Sequence, residues 1–523
     1  MMDGQMTAPL TAAETTQRLP FDLHGDPKNW IFLTGAVLLL PLILILYFAI
    51  SGQPFWRHDE LIYLQDYFVK LRTEGRWLNY YAFDFLKALP PLLSWYLVTT
   101  AWTVLGGLLF ADISRSKAFG ALAGLAIGLN SGLLAQSFWP STMLFVPYIL
   151  LTIFALTRDR FRFSVYIVGA ILLFGSLSSA VFLFPLFWAR QIREWSLLRN
   201  AGLLVFWLAV FGLGAFCAVT ISEAITDIPM HIARWRIYND PENFSDYIQN
   251  LKYFSGIFQT HISALLPQTP IWLLAFVAAL AAMLVSKTKT DEHAKSTSEA
   301  ILKSCFWGVC IFFACHLQAV ALGIYVAYRT SWIMLLGVLL LTGTIVRYSS
   351  AREITGGAGM ALTAILIVCV GFNGAIQVRH TMLQFRVADM LAEDIKAQLE
   401  ETNSVKFADY DQIVFYGYQR SGVWDIDART PFSMAHQAHD EGLSNSSYRW
   451  SKAFLNYRTQ QDLICFKDNR PNRVCSTLLS DRDAMENWNC GSIYRGFCTN
   501  VLEVDNSIVL RIPTPNEVAT AGQ

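Results

Sequence analysis

Charged residues are scarce in this chain. Asp, Glu, Lys and Arg together make up 15% of its 523 residues, whereas soluble domains carry about 25%. Hydrophobic residues reach 54%, and they gather in long apolar runs. This composition argues against an ordinary soluble domain and predicts an α-helical polytopic membrane protein, with the lipid bilayer as a partner.

An excess of either charge sign is also absent. The chain has 40 Lys and Arg residues against 40 Asp and Glu residues, so its formal net charge is zero. Nucleic acid is therefore not an expected partner, because its phosphates attract basic surfaces. Residues 1–29 lack the pattern of a cleaved signal peptide. We therefore expect them to form a cytoplasmic N-terminal tail ahead of an uncleaved first span.

The apolar runs predict about eleven membrane spans within residues 30–377, because a helix needs about 20 apolar residues to cross a bilayer. Single spans are expected near residues 30–50, 90–110, 118–136, 142–157, 200–222, 268–286, 302–323, 330–347 and 358–377. The run 163–189 is interrupted at "GSLSS", Gly175 to Ser179. We interpret it as a hairpin of two short helices, although one long helix is the alternative.

The basic loops decide between these two alternatives, because short cytoplasmic loops collect Lys and Arg. With the N-terminus inside, the basic loops all become cytoplasmic only if 163–189 is a hairpin; they are "ADISRSK", "TRDRFR", "RQIREWSLLR", "SKTKTDEHAK" and "RYSSARE". Loops 51–88 and 223–267 and the C-terminal residues 378–523 then lie outside. In a bacterial cell this corresponds to a multi-pass inner-membrane protein with a periplasmic C-terminus.

The C-terminal tail is predicted to be a small α/β domain with two disulfides. It combines a strand-like run, "DQIVFYGYQ", with helical stretches such as "VADMLAEDIKAQLEE". Its four cysteines form two close pairs, which predicts Cys465–Cys475 and Cys490–Cys498 disulfides in an oxidising compartment. A zinc site is the competing interpretation, but the spacing fits no usual zinc motif and no His lies among the cysteines.

The first outer loop carries the most conspicuous polar cluster. Asp59 and Glu60 are adjacent, and Arg57 and His58 precede them. An apolar stripe follows at helical spacing, with charges on the other face, and predicts an amphipathic helix along the membrane surface; its members are Leu61, Leu64, Phe68 and Leu71. The acidic pair either caps this helix or deprotonates a hydroxyl beside a lipid-borne leaving group.

The acidic pair after a first span, the amphipathic helix and the "GRW" element Gly75, Arg76 and Trp77 together resemble a known family. They resemble the GT-C glycosyltransferases, and within these the glucosyltransferases that modify O-antigen in serotype conversion. The likeness covers the general layout of the whole chain. Many members carry two aspartates where this chain has Asp59 followed by Glu60.

The resemblance implies a GT-C-like helix arrangement and transfer of a hexose, such as glucose, from a polyprenyl phosphate to a cell-surface glycan such as the O-antigen of lipopolysaccharide. Asp59 would be the general base, and Glu60 would support it or bind a divalent metal such as Mg²⁺ or Mn²⁺. No other cofactor is indicated. A donor-synthesising glycosyltransferase and a donor flippase would be functional partners. The same fold could instead glycosylate lipid A, protein or another envelope polymer.

Cations that could hold the donor's phosphate are few near the outer ends of the spans. Arg329, in "AYRTSW", either binds phosphate or anchors a helix end. Arg76 is either a second phosphate ligand or an ion-pair partner of Glu74 or Asp84. Further substrate-binding candidates, for which solvated helix charges are the alternative, are His58, Arg57, Arg234, Arg236, Lys252 and His261.

A transporter or lipid-linked-sugar flippase is the competing class of function. Transporters place ionisable residues near the membrane centre, in broken helices. The break at Gly175 to Ser179 favours this class, whereas the expected placement of nearly all charge at the outer face and the lack of similarity between the two halves favour the transferase. His316, inside an apolar run beside Cys315, is interpreted as a helix-packing residue rather than a metal ligand.

Overall fold

A mostly helical N-terminal part and a small sheet near the C-terminus make up the computed structural model. It describes residues 67–89, 91–137, 140–230, 237–265, 291–326, 330, 332–348, 393–410, 412–417, 463–465, 488–494, 497–504 and 507–512. The expected spans 30–50, 268–286 and 358–377 therefore lie outside the described residues.

Short helices alternate with long apolar ones in the first half of the bundle. In chain order they are α1 Phe68–Glu74, α2 Trp77–Tyr81, α3 Phe83–Ala88, α4 Pro91–Ser114, α5 Lys117–Gly128, α6 Ser131–Ser137, α7 Pro140–Met143, α8 Phe145–Thr157 and α9 Phe163–Phe174. After a 3₁₀ helix, Ser178–Leu183, follow α10 Phe184–Phe187, α11 Ala189–Glu194, α12 Leu197–Thr226, α13 Phe244–Leu265, α14 Asp291–Ala314, α15 Leu317–Leu322 and α16 Trp332–Tyr348.

Helices α4 and α5 pack in close contact because glycines line the contact. A Cβ atom on Gly124 would lie 2.6 Å from the backbone oxygen of Thr103, and one on Gly120 would lie 2.5 Å from the backbone oxygen of Gly107. Small residues at four-residue spacing allow backbones to approach in this way. Buried tryptophans fill the interior around this pair; Trp102 and Trp332, for example, meet edge to face at 4.7 Å.

The hairpin predicted at 163–189 is present as a break in the helix. Helix α9 ends at Phe174 with Gly175 as its C-cap, and the chain re-enters helical structure at Ser178. The second arm is a 3₁₀ helix followed by the short α10, not one α-helix. Pro185 is compatible with the start of α10, because a helix can begin with proline.

Three other expectations about the spans were wrong in detail. The span 118–136 is divided between α5 and α6, because Asn130 caps α6 by accepting from the backbone N–H of Leu133 at 3.1 Å. The span 302–323 is divided at Cys315 and His316, between α14 and α15. The predicted basic loop "SKTKTDEHAK" is helical from Asp291 onward, where it forms the start of α14.

Two helices in the described part of the chain are long and apolar enough to cross a membrane. They are Leu93–Ser114, within α4, and Leu197–Thr226, which is α12. Five shorter apolar stretches accompany them, at Lys117–Gly128, Ser141–Thr157, Phe163–Phe174, Ser178–Phe187 and Trp332–Tyr348. The expected count of about eleven spans is a finer statement than these helices support.

The tail contains the predicted mixture of helix and strands. A helix covers residues 393–403, and the strands are β1 Gln412–Gly417, β2 Leu463–Cys465, β3 Ile493–Tyr494, β4 Phe497–Cys498, β5 Leu502–Val504 and β6 Ser507–Ile512. The main sheet has the order β2-β1-β6-β5, parallel except for the β5–β6 pair. The predicted strand "DQIVFYGYQ" is β1 at its centre.

The predicted Cys490–Cys498 disulfide is present, with Cα atoms 4.7 Å apart. It closes the small β3–β4 hairpin, and Cys498 is fully buried. Cys465 ends β2, while Cys475 lies outside the described residues, so the Cys465–Cys475 pairing stays a prediction.

Candidate functional site

A cavity of 310 Å³ lies where the short helices α1 and α2 meet the ends of the long ones. We call it the Arg76 cavity. Its polar lining residues are Thr73, Glu74, Arg76, Gln136, Ser178, Ser179, Cys315, Gln318, Tyr325 and Thr330. Phe174, Leu177, Phe211, Ala215, Leu322, Ile324 and Val326 supply the apolar part of its wall.

A tight turn at Gly75 delivers Arg76 to this cavity. Gly75 ends α1 in the left-handed conformation, with φ of 66°, and its N–H donates to the carbonyl of Leu71. Only glycine adopts this conformation without cost. A Cβ atom at Gly75 would also press on Ala218 at 3.1 Å. The Ser222 hydroxyl of α12 donates to the Leu71 carbonyl at 2.7 Å, which fixes α1 against the bundle.

Glu74 joins two cations into a buried cluster. Its carboxylate lies 2.7 Å from Lys70 Nζ and pairs on its other oxygen with Arg76. The three side chains are only 9–12% exposed. The sequence predicted charges on the face opposite the apolar stripe of an amphipathic helix; in the described part of that helix, the Lys70 and Glu74 side chains are nearly buried. Breaking one partner of such a buried pair costs about 3–5 kcal/mol.

Thr142 connects the "GRW" element to the interruption at "GSLSS". Its hydroxyl accepts from Arg76 Nη1 at 2.7 Å, and its carbonyl accepts from the hydroxyl of Ser176 at 3.2 Å. The backbone N–H of Leu78 donates to the Gly175 carbonyl at 3.0 Å. Two stretches that the sequence marks separately are therefore one structural unit beside the cavity.

Asn79 and Tyr67 complete this polar network inside the bundle. Asn79 Nδ2 donates to the Tyr67 hydroxyl at 3.1 Å and lies 3.4 Å from the Ser176 carbonyl. The Tyr67 hydroxyl is 3.3 Å from the hydroxyl of Thr142. Both Tyr67 and Asn79 are buried. Asn79 Oδ1 has no described hydrogen-bond partner, but the bonds from Asn79 Nδ2 and Tyr67 join three distant chain segments and hold the backbone around Arg76 in place.

Two further contacts hold the lining residues Gln136 and Cys315 in place. Trp332, the first residue of α16, donates from Nε1 to Gln136 Oε1 at 2.8 Å. Cys315 contacts His316 at 3.2 Å, and His316 Nε2 lies 2.9 Å from His261 Nδ1. Both histidines are almost fully buried. This arrangement fits the interpretation of His316 as a packing residue.

The structure places the candidate site residues differently from one another. Arg76 lines the cavity and pairs with Glu74, which was the predicted alternative to a purely phosphate-binding role. Lys252 is exposed on α13, and His261 contacts His316, which in turn contacts the lining residue Cys315. The remaining candidates lie outside the described residues, namely Arg57, His58, Asp59, Glu60, Arg234, Arg236 and Arg329.

Sequence reasoning missed Thr142, Gln136 and Asn79. Each is an uncharged polar residue within or beside an apolar or aromatic run, and each is buried here with a hydrogen bond to a residue distant in the sequence. A polar residue in such a run indicates an interhelical hydrogen bond, which is the signal that could have identified them.

The cavity combines a positioned guanidinium with hydroxyl and amide side chains. Arg76 can bind phosphate through the nitrogen–hydrogen groups of its planar fork, and hydroxyl and amide groups such as Ser178 and Gln318 can bind sugar hydroxyls. No group of three His, Cys, Asp or Glu side chains that could hold a metal occurs among the described residues. Glu60, the residue expected to hold a metal, is outside them.

Comparison with protein-family models, with curated proteins and with solved structures finds no match to this chain. The interpretation of the cavity therefore depends on its own residues and on the sequence resemblance.

Proposed function

We propose that this chain is an integral-membrane glycosyltransferase of the GT-C type. It transfers a hexose, glucose being the first candidate, from a polyprenyl phosphate to a cell-surface glycan such as O-antigen. The Arg76 cavity faces the periplasm and takes the donor's phosphate and sugar. The bacterial inner membrane, about eleven spans and a periplasmic C-terminus belong to this proposal.

Membrane insertion is supported by where the apolar side chains of α12 lie. Only 22% of its most apolar window is buried. Large apolar residues such as Val205, Leu208 and Phe216 are at least 60% exposed. A soluble protein would bury most of so apolar a helix, whereas a lipid environment accepts it, and a large exposed apolar surface otherwise promotes aggregation.

The observation that carries the proposal is the position of Arg76. Its guanidinium is fixed by Glu74 and Thr142 at the wall of a cavity, at the end of an apolar bundle. A polyprenyl-phosphate sugar would have its polyprenyl chain in the bilayer and its phosphate at this depth. A fixed guanidinium can therefore stabilise the negative charge of the leaving phosphate without reorganisation.

The proposed reaction uses Asp59 as the base and Arg76 and Arg329 as phosphate ligands. Asp59 takes the proton of an acceptor hydroxyl, and the resulting oxygen attacks the anomeric carbon of the sugar. The bond between that carbon and the phosphate oxygen breaks, and polyprenyl phosphate leaves with the electron pair. Arg76 and Arg329 would bind the growing charge on the phosphate. The products are the extended glycan, polyprenyl phosphate and the proton held by Asp59.

Replacing the base tests the proposal. Asp59→Asn keeps the shape of the side chain and removes its basicity, so transfer should fall by about 10²–10⁴-fold. Protein amount and donor binding should stay unchanged. Glu60→Gln should have the smaller effect. Near-normal transfer by Asp59→Asn together with loss in Glu60→Gln would reverse the two roles, and full activity in both variants would contradict the proposal.

The donor's phosphate site is tested separately at Arg329. Arg329→Ala should raise the KM for the donor and lower kcat, whereas Arg329→Lys should restore only part of the activity, because lysine keeps the charge without the fork. Donor and acceptor are titrated in turn at saturation of the other. Wild-type behaviour of Arg329→Ala in both titrations would leave Arg329 as a helix anchor, with Arg76 as the remaining phosphate ligand.

A transporter or flippase is the second candidate, because a broken helix lines the cavity. Gly175 to Leu177 interrupt the hairpin, and Leu177 and Ser178 lie in the cavity wall. Transporters build substrate sites at such interruptions. The two functions separate in proteoliposomes: a flippase moves intact donor across the bilayer, whereas the transferase releases polyprenyl phosphate only when an acceptor is present.

A further inference from the structure

A second cavity, of 410 Å³, lies at the other end of the bundle. Helices α8 and α16 each connect the two ends. α8 begins at Phe145, three residues after Thr142, and is capped by Arg158; α16 begins at Trp332, and Arg347 lies in its last turn. The lining residues of this second cavity, which we call the basic cavity, are Ala111, Asp112, Arg115, Lys117, Arg158, Asp159, Arg190, Arg193, Glu194 and Arg347.

Cations outnumber carboxylates in this lining by six to three. Arg190 forms an ion pair with Glu194 at 3.1 Å, and Arg158 lies 3.9 Å from Asp112. Within the described residues, no ion pair satisfies the other four cations, which are Arg115, Lys117, Arg193 and Arg347. The cavity therefore holds a concentrated positive charge.

Arg193 is a deeply buried member of this group of cations. It is only 8% exposed, and its Nη1 is buried without a hydrogen-bond partner. Burial, and then the charge of Arg347, lower the pKa of Arg193 to about 10. It remains charged at neutral pH, so the cavity contains a buried guanidinium that forms no ion pair with a described carboxylate and whose Nη1 has no described hydrogen-bond partner. An unpaired buried charge is strongly unfavourable, and a bound anion would remove the cost.

The backbone at Arg115 gives a second indication of a built site. Arg115 follows α4 in a left-handed conformation, with φ of 56°. Glycine is the residue that usually occupies this position after a helix, and a large side chain there is strained. The chain nevertheless has an arginine there, and that arginine lines the basic cavity.

We propose that the basic cavity binds a phosphate-bearing anion, and that its ligand is the headgroup of an anionic membrane lipid. Phosphate matches the planar fork of several guanidinium groups at once. A lipid is favoured because exposed leucines adjoin the cavity in the chain: Leu156 precedes Arg158, and Leu197 and Leu198 follow Glu194. These can contact acyl chains while the cations hold the headgroup, as basic pockets between membrane helices do.

The test uses the full-length protein in neutral detergent micelles. Thermal unfolding is followed while phosphatidylglycerol, phosphatidylcholine or inorganic phosphate is added. Phosphatidylglycerol should raise the midpoint temperature of the wild type, and phosphatidylcholine should not. Arg193→Gln and Arg347→Gln should each raise the phosphatidylglycerol concentration that gives half of the temperature shift by about tenfold. This corresponds to the loss of one charge-assisted contact. Arg160→Gln is the matched control, since Arg160 is exposed and does not line the cavity.

The stability of Arg193→Gln without lipid distinguishes a ligand-binding role of Arg193 from a purely structural one. Without anionic lipid, Arg193→Gln should be at least as stable as the wild type, because it removes a buried unpaired charge. A variant that is equally destabilised with and without phosphatidylglycerol would overturn the proposal. An equal response to both lipids would also overturn it. Saturation by inorganic phosphate alone, lost in Arg193→Gln, would overturn the assignment of the ligand to lipid.

Discussion

Arg76 Nη1 donates a hydrogen bond to the hydroxyl of Thr142 at 2.7 Å across 66 residues of chain. The same guanidinium pairs with Glu74. Because Thr142 also accepts from Ser176, one threonine joins the "GRW" turn to the break between the two arms of the hairpin. The orientation of Arg76 towards the cavity therefore depends on contacts among three chain segments, not only on the turn after α1.

Removing the Thr142 hydroxyl should disturb Arg76 without removing its charge. Thr142→Val preserves the shape of the side chain but gives Arg76 no acceptor there, whereas Glu74 remains. We expect a rise in the KM for donor of about 3–10-fold, the net value of one ordinary hydrogen bond, because Glu74 still holds the guanidinium, with a smaller change in the KM for acceptor. Steady-state transfer with each substrate varied in turn measures this split.

Thr152→Val serves as the control, because Thr152 bonds only the carbonyl of Tyr148 within its own helix. Equal donor KM values for Thr142→Val and Thr152→Val would show that the Arg76–Thr142 bond does not position a phosphate ligand.

Local sequence patterns predicted the features that depend on short stretches of chain. The break at Gly175, strand β1 and the Cys490–Cys498 pair were all expected and are present. Four of the basic loops that were assigned to one side also meet at the basic cavity. Turn residues, alternation and short cysteine spacing act within a few residues, so a sequence reveals them directly.

The features that depend on long-range packing were not predictable in the same way. The sequence offered Glu74, Asp84 and phosphate as alternatives for Arg76, and only the fold brings Thr142 and Glu74 together around it. The burial of Lys70 was also unexpected, because a helix pattern reports which residues share a face but not what covers the polar face. Hydropathy predicted one span over 118–136, because it does not detect the helix cap at Asn130 that divides this span.

Two helix glycines, one inside the α4–α5 contact and one outside it, should respond differently to substitution by alanine. Gly124→Ala places a Cβ atom 2.6 Å from the Thr103 backbone oxygen, so the helices must separate. We expect a loss of about 1–3 kcal/mol in the free energy of unfolding. Gly212→Ala in α12 meets nothing within 4 Å, and should be neutral or stabilising by up to about 1 kcal/mol, since alanine favours helices.

Unfolding of both variants in mixed micelles, followed by circular dichroism, compares them under one condition. Equal stability of Gly124→Ala and Gly212→Ala would contradict the close approach of the α4 and α5 backbones.

The tail disulfide should stabilise the β3–β4 hairpin and the sheet beside it. Cys490→Ser opens a loop of sequence separation 8, and the loop-entropy model gives a loss of about 2–3 kcal/mol. Amides of β4 and β6 should exchange faster with deuterium, whereas those of α4 should not change. Non-reducing peptide mapping of the wild type should also give the Cys465–Cys475 pair. Free thiols at Cys490 and Cys498 in the purified protein would contradict the assignment.

The two ends of the bundle predict an asymmetric pattern of chemical labelling. Ser178 lies in the Arg76 cavity, and Arg190 lies in the basic cavity. The excess of cations around Arg190 is typical of cytoplasmic loops. In intact cells with a permeable outer membrane, an impermeant maleimide should therefore label Ser178→Cys and leave Arg190→Cys unlabelled. In inverted membrane vesicles the order should reverse.

The wild type is the control for this experiment, because its described free cysteines, Cys217, Cys305, Cys310 and Cys315, are half-buried or buried and give the background signal. Labelling of both introduced cysteines from the same side would contradict the hairpin at 163–189, since the chain must then pass between the two positions without crossing. Labelling of Arg190→Cys from outside alone would instead invert the orientation. The Arg76 cavity would then face the cytoplasm, and a periplasmic transferase acting there would be excluded.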